Sequence, residues 1–158
     1  MKTSLIIKSV LCILSCNLVG GLSAIATSGS IDSWYQHLNK PSFNPPNWIF
    51  GPAWTLLYTL MGIAVALIWH QGWDNPLVRK AISIFAAQLL LNAFWSIAFF
   101  GMQSPPLALL VISVLLILIV TCVIVFSRID PVAAYLLVPY LLWVSFATVL
   151  NMSIVMLN

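Results

Sequence analysis

Apolar residues run along this chain in five long blocks, separated by four clusters rich in Pro, Asn, Asp, Gly and basic residues. The blocks cover about 5–27, 48–69, 80–100, 105–127 and 132–156. Each approaches the ~20 residues that a helix needs to cross ~30 Å of hydrocarbon. In that solvent every backbone N–H and C=O must be paired within its own segment, so blocks of this length are helices. The pattern predicts an all-α integral membrane protein. It is one domain over 1–158, a five-transmembrane-helix bundle with a long structured loop between the first two helices. Pro105-Pro106 and Pro131 stand at predicted helix starts, where a missing N–H costs nothing. No convincing internal repeat is visible, so an inverted-repeat transporter is not indicated.

The first block needs a separate argument. A basic start, an apolar run and Ala24-x-Ala26 also describe a cleavable signal peptide. The apolar run from Ser9 to Thr27 is 19 residues, long enough to span, and is retained as the first helix. After it, residues 28–47 form a connection of about 20 residues, a length typical of lids and binding loops. Its end overlaps "NKPSFNPPNWIFGPAW" (39–54), which holds four of the nine prolines and two of the seven tryptophans. Pro41, Pro45 and Pro46 fix their own φ and restrict the residues before them. The loop is therefore stiff, and holding one shape over the bundle costs it little entropy.

Composition strengthens the membrane reading. The chain is 62% hydrophobic and 6% charged, against about 25% charged in ordinary soluble domains. Six Lys/Arg and three Asp cannot coat a water-facing globule, and a scattered net charge of +3 points to no nucleic acid. Where the charges sit matters more. Lys2, Lys8, Arg79, Lys80 and Arg128 fall on one side of the predicted bundle, and Lys40 alone on the other. The N-terminus is expected to face the cytoplasm, with the first loop and the C-terminus opposite.

Several chemistries are then excluded. No predicted span centre carries a charge, which weighs against an ion-coupled transporter and removes paired-carboxylate catalysis. His37 and His70 lie in or beside loops, and neither they nor Cys12, Cys16 and Cys122 form a metal-ligand spacing, so no metal is expected. The cysteines read as small buried hydrophobes.

What remains is uncharged polarity among aromatics. Gln88, Asn92 and Ser96 recur at i, i+4, i+8 on one face of the third helix. Trp143, Ala147 and Asn151 form a similar row on the fifth, with Tyr140 adjacent, and Trp54 and Tyr58 stand one turn apart on the second. Two readings stay open. The amides bond across helices and hold the bundle together, or they and the aromatic rings wall a pocket for a large apolar ligand. Trp48, Trp69 and Trp73 sit at predicted interfaces, where aromatic belts are usual, whereas Trp54, Trp95 and Trp143 lie deeper. Pro139 falls inside the fifth helix and predicts a kink or local widening beside Tyr140 and Trp143. Gly20-Gly21 and Ser23 allow close approach by a helix or a flat ligand.

"WYQHLNKPSFNPPNWIFGPAWTLLYTLMG" (34–62), "QLLLNAFWSIAFFG" (88–101) and "VPYLLWVSFATVLN" (138–151) closely resemble the motifs of the TspO/MBR family. That family comprises translocator proteins (peripheral benzodiazepine receptors) and bacterial tryptophan-rich sensory proteins. The resemblance runs in order over essentially the whole chain. It implies a five-helix bundle whose first loop folds over a pocket. It also implies a receptor or sensor for porphyrins such as protoporphyrin IX and for other large apolar ligands, with no required cofactor. Carried over by motif, the ligand-binding residues would be Gly21, Ser23, Tyr35, Pro45, Ile49, Trp54, Tyr58, Gln88, Asn92, Trp95, Tyr140, Trp143, Ala147 and Leu150. Some bacterial members promote light-dependent porphyrin breakdown. By that resemblance Trp54 and Trp143 would be the catalytic pair, because an indole beside an excited porphyrin is readily oxidised. The alternative role is transport of porphyrin, sterol or another lipophile across the bilayer. Animal members carry a C-terminal cholesterol-type motif ending in Lys or Arg. No Lys or Arg follows Arg128, so neither Tyr135 nor Tyr140 completes that motif and sterol transport is the less expected role. The family also forms dimers, and Ala86 and Ala87 would permit close helix contact.

Overall fold

A computed structural model describes residues 2–158, without the side chains of Lys2, Ile31 and Asp32. Five α-helices follow one another: α1 (Lys2–Asp32), α2 (Asn47–His70), α3 (Pro76–Ser96), α4 (Pro105–Ser127) and α5 (Pro131–Leu157). All five helical segments are long and apolar enough to cross a membrane, so the chain is an integral multi-pass membrane protein. The helices close into a ring in which α1 packs on α2, α2 on α5, α5 on α4, α4 on α3 and α3 back on α1. Large apolar side chains such as Leu14, Leu18, Ile25, Leu110, Ile117 and Leu142 point outward, as they must when the solvent is lipid.

The helix starts have local causes. Asn75 accepts the Leu77 N–H at 2.9 Å and Asp130 accepts the Val132 N–H at 2.9 Å, each followed by proline at the first helical position. The Asn75-Pro76 cap corrects the expected start of the third helix from about 80 to Pro76. Arg79 and Lys80 lie within its first two turns, exposed, and Arg79 reaches back to the carbonyls of Trp73 and Asp74. α1 likewise outruns its expected end near 27. Ser23 and Thr27 donate to the carbonyls four residues earlier, so their hydroxyls are satisfied inside the helix. The first connection therefore shortens to 33–46 and contains a single 3₁₀ turn, Tyr35–His37.

α3 does not end in ordinary helix. Ile97–Gly101 is a π-helical turn, with the Met102 N–H bonded to the Ile97 carbonyl at 2.7 Å, and Gln103 follows in the left-handed region. The widening expected at Pro139 is not found there. α5 is α-helical through Pro139, which is exposed.

The packed interior has two parts. A larger cluster, with Met61, Ile68, Phe85, Ile112, Phe126 and Leu137, fills the half away from the long loop. A smaller one, with Tyr35, Phe99, Leu150 and Ile154, lies under the loop. Gly62 sets the α1–α2 crossing, because a Cβ there would stand 2.5 Å from the Ile13 Cα. At the end away from the loop, the Lys8 ammonium donates to the Trp69 carbonyl and sits 5.0 Å from the Trp69 ring centroid, near the negative end of α2. Gln71 reaches Asp130 at the same end. Lys2, counted with this basic side, has its side chain outside the described residues.

Candidate ligand-binding site

The loop is held down at three places. The Tyr35 hydroxyl donates to Asn44 Oδ1 at 2.9 Å, which folds the proline segment onto the 3₁₀ turn. Trp34 and Tyr35 pack edge-on against Phe99, Tyr35 also against Phe100, and Phe43 against Phe146. Asn39 and Asn158 exchange hydrogen bonds of 2.9 and 3.0 Å, which fasten the loop to the end of α5. Burial pushes the Tyr35 hydroxyl pKa up, opposed by its bond to Asn44, so Tyr35 stays a neutral donor.

Beneath this lid lies a cavity of about 420 Å³, within the range of small-molecule sites. α1 contributes Asn17, Gly20, Gly21, Ser23, Ala24 and Thr27. α2 contributes Asn47, Phe50, Gly51, Trp54, Thr55 and Tyr58, and the loop Tyr35. α3 and its π turn give Asn92, Trp95, Ser96, Phe99 and Phe100, and α5 gives Trp143, Ala147, Leu150, Asn151 and Ile154. One wall is aromatic: the Trp54 ring stacks on Tyr58 at 5.5 Å and meets Trp143 edge-on at 6.4 Å, with Phe50 at 6.0 Å from Trp143. The α1 wall carries small residues, hydroxyls and an amide, and α3 with its π turn sets Asn92 and Ser96 beside Trp95, Phe99 and Phe100. Gly21, Ala24, Gly51 and Thr55 are exposed, so the cavity opens sideways between α1 and α2.

The floor is a hydrogen-bonded chain through three helices. Tyr58 Oη donates to Asn92 Oδ1 at 2.5 Å, Asn92 Nδ2 to Tyr140 Oη at 3.1 Å, and Tyr140 Oη to Gln88 Oε1 at 2.8 Å. All four residues are buried, which satisfies groups that hydrocarbon cannot. Asn151 makes a second tie, accepting from Trp95 Nε1 at 3.2 Å and donating to the Pro105 carbonyl at 2.9 Å. The amides join helices, and Asn92 and Asn151 also face the cavity.

Of the residues expected at the site, Gly21, Ser23, Tyr35, Trp54, Tyr58, Asn92, Trp95, Trp143, Ala147 and Leu150 come together on the cavity wall. Four do not. Gln88 and Tyr140 stand one layer behind, because their polar ends are spent on each other and on Asn92. Pro45 and Ile49 lie outside the wall; from the first turn of α2 it is Asn47 and Phe50 that are brought to the cavity. Sequence reasoning missed Asn17, Thr27, Phe50, Phe99 and Phe100. Asn17 and Thr27 share an α1 face with Gly20 and Ala24, a signal readable from helical spacing. Phe99 and Phe100 both reach the cavity from the π turn, which no periodicity foretells. Among the described residues no group of His, Cys, Asp or Glu is arranged to hold a metal.

Residues 12–157 match the TspO/MBR family. The chain belongs to that family. It is 45% identical to the tryptophan-rich protein TspO of Chlorobaculum tepidum over 97% of both chains. It is 39% identical to the tryptophan-rich sensory protein of Cereibacter sphaeroides over 85% of both. It is also 35% identical to the human translocator protein, over 75% of this chain and 70% of the relative. Three of the seven tryptophans, Trp54, Trp95 and Trp143, line the cavity under the lid.

Proposed function

We propose that this member of the TspO/MBR family is a membrane receptor or sensor that binds porphyrins, protoporphyrin IX among them, and other large apolar ligands. One observation carries the reading: a lidded cavity of about 420 Å³ whose wall sets Trp54, Tyr58 and Trp143 around an uncharged space. A flat, extended π system fits a stacked indole and phenol on one face and small residues on the other. Relatives named as sensory and translocator proteins agree with a ligand-responsive membrane protein. No cofactor enters this proposal; the porphyrin is the ligand.

Photo-oxidative porphyrin breakdown is a second activity of the same site. Its oxidant is O₂, and the excited macrocycle would lie against Trp54 and Trp143, whose rings meet at 6.4 Å. Titration with protoporphyrin IX, read by tryptophan fluorescence quenching, tests binding. Trp54→Phe/Trp143→Phe protein is expected to bind at least tenfold more weakly, each indole contributing about 1 kcal/mol of stacking. Unchanged affinity would remove these residues from the site. Illumination of the complex in air is expected to yield a new product spectrum that needs both indoles. Bleaching at the rate of free porphyrin would reject the photochemical role.

Transport is the weaker reading. The side opening at Gly21 and Gly51 offers entry from the bilayer, but the floor of Tyr58, Asn92, Tyr140 and Gln88 would have to break for passage. Porphyrin uptake by proteoliposomes no faster than by empty liposomes is the expected result.

A further inference from the structure

Lys40 is the one Lys or Arg of the chain on the loop side, and its ammonium stands 4.6 Å from the centroid of the Tyr35 ring. Tyr35 lines the cavity at the loop end, so this ammonium lies within one ring of the wall, although Lys40 is not itself a lining residue. Nζ donates to the carbonyls of Gln36 and Leu38, both at 3.3 Å. An ammonium has three N–H donors, and no described carboxylate pairs with this one.

The cavity itself offers an anion no opposite charge. None of its lining residues carries a charge. Most of its neutral donors are also engaged, the Asn47 amide and the Trp143 indole N–H being left over. The hydroxyls of Ser23, Thr27 and Thr55 donate to carbonyls of their own helices. Tyr58 donates to Asn92, Asn92 to Tyr140, and Trp95 to Asn151. The walls therefore present mainly lone pairs and ring faces. A carboxylate drawn into such a space loses its water without gaining a charged partner, which costs several kcal/mol.

We propose that Lys40 is the carboxylate-recognition residue of this site. An acidic ligand places its apolar body against the aromatic wall and its anionic edge at the loop end, on Lys40 Nζ. This rests on the porphyrin-binding reading above and adds to it a direction of binding and a ligand class, planar apolar acids with their charges on one edge.

The test compares protoporphyrin IX, a dicarboxylic acid, with its dimethyl ester, in wild-type, Lys40→Gln and Lys40→Arg protein in lipid nanodiscs, by fluorescence quenching. Lys40→Gln keeps a donor for the loop carbonyls and loses the charge. It is expected to weaken the acid about five- to tenfold and to leave the ester within twofold, while Lys40→Arg retains affinity for the acid. The acid's advantage should shrink as salt rises, because an ammonium near the surface is screened. Equal loss for acid and ester would mean that Lys40 only supports the loop, and unchanged acid affinity would mean that it does not touch the ligand. Either result overturns this inference while porphyrin binding stands. Failure of both ligands to bind wild-type protein overturns the porphyrin reading and this inference with it.

Discussion

Tyr140 shows how single residues divide labour between holding the bundle and facing a ligand. Its hydroxyl accepts from Asn92 and donates to Gln88, and its ring lies 6.4 Å from Trp54. Interhelical hydrogen bonds in membranes average about 0.6 kcal/mol and reach about 1.7. Tyr140→Phe deletes two of them and leaves two buried amides short of a partner. It is expected to cost about 1–2 kcal/mol, read as a lower thermal midpoint in detergent, with porphyrin affinity changed less than by Trp54→Phe. A larger effect on affinity than on stability would return Tyr140 to the cavity wall. The i, i+4 spacing of Gln88 and Asn92 was readable in the sequence as a polar stripe. What spacing cannot say is which polar group on another helix will meet it. Tyr140 looked like a ligand contact because an aromatic ring with a hydroxyl suits both positions, and only the crossing of α3 with α5 decides between them.

Elements were legible where their ends carry their own chemistry. α4 has Pro105 at its start and Arg128 after its last turn, and the expected 105–127 is the observed span. α3 was misread by one turn because its basic pair resembles an interfacial boundary, while the true stop signal is the Asn75-Pro76 cap. The π turn at Ile97–Gly101 had no sequence signal, yet it brings Phe99 and Phe100 together to the cavity and lid. The glycines test the packing of α1 against α2 and the cavity. A Cβ on Gly62 would press on the backbone of Ile13, and one on Gly20 would overlap the Tyr58 ring, whereas one on Gly21 meets nothing within 4 Å. Gly62→Ala is therefore expected to destabilise by about 1–3 kcal/mol, because backbone cannot step aside. Gly21→Ala is expected to be neutral or slightly stabilising, since alanine favours helix over glycine by about 1 kcal/mol. Thermal unfolding of the two variants side by side checks the pair. Similar losses in both would mean that α1 is not seated as described.

At the scale of the whole molecule the two ends differ in charge and chemistry. One end gathers Lys8, Arg79, Lys80 and Arg128 around short turns, with Lys8 fixed on Trp69 and Gln71 on Asp130. The other carries the proline loop, fastened through Asn39 to Asn158 and through Tyr35 to Phe99 and Phe100. Basic residues in short loops are retained on the cytoplasmic side during insertion, so this asymmetry predicts that the lid and the loop end of the cavity lie on the side away from the cytoplasm. Ser42 is exposed on the lid and Asp74 is exposed in the turn between α2 and α3. The native cysteines are a quiet background for labelling: Cys16 and Cys122 are buried, Cys12 is half-buried, and all three lie within spans. A membrane-impermeant maleimide added to intact spheroplasts is expected to modify Ser42→Cys and to spare Asp74→Cys until the membrane is permeabilised. The reverse pattern would turn the bundle over and place the loop end of the cavity on the cytoplasmic side.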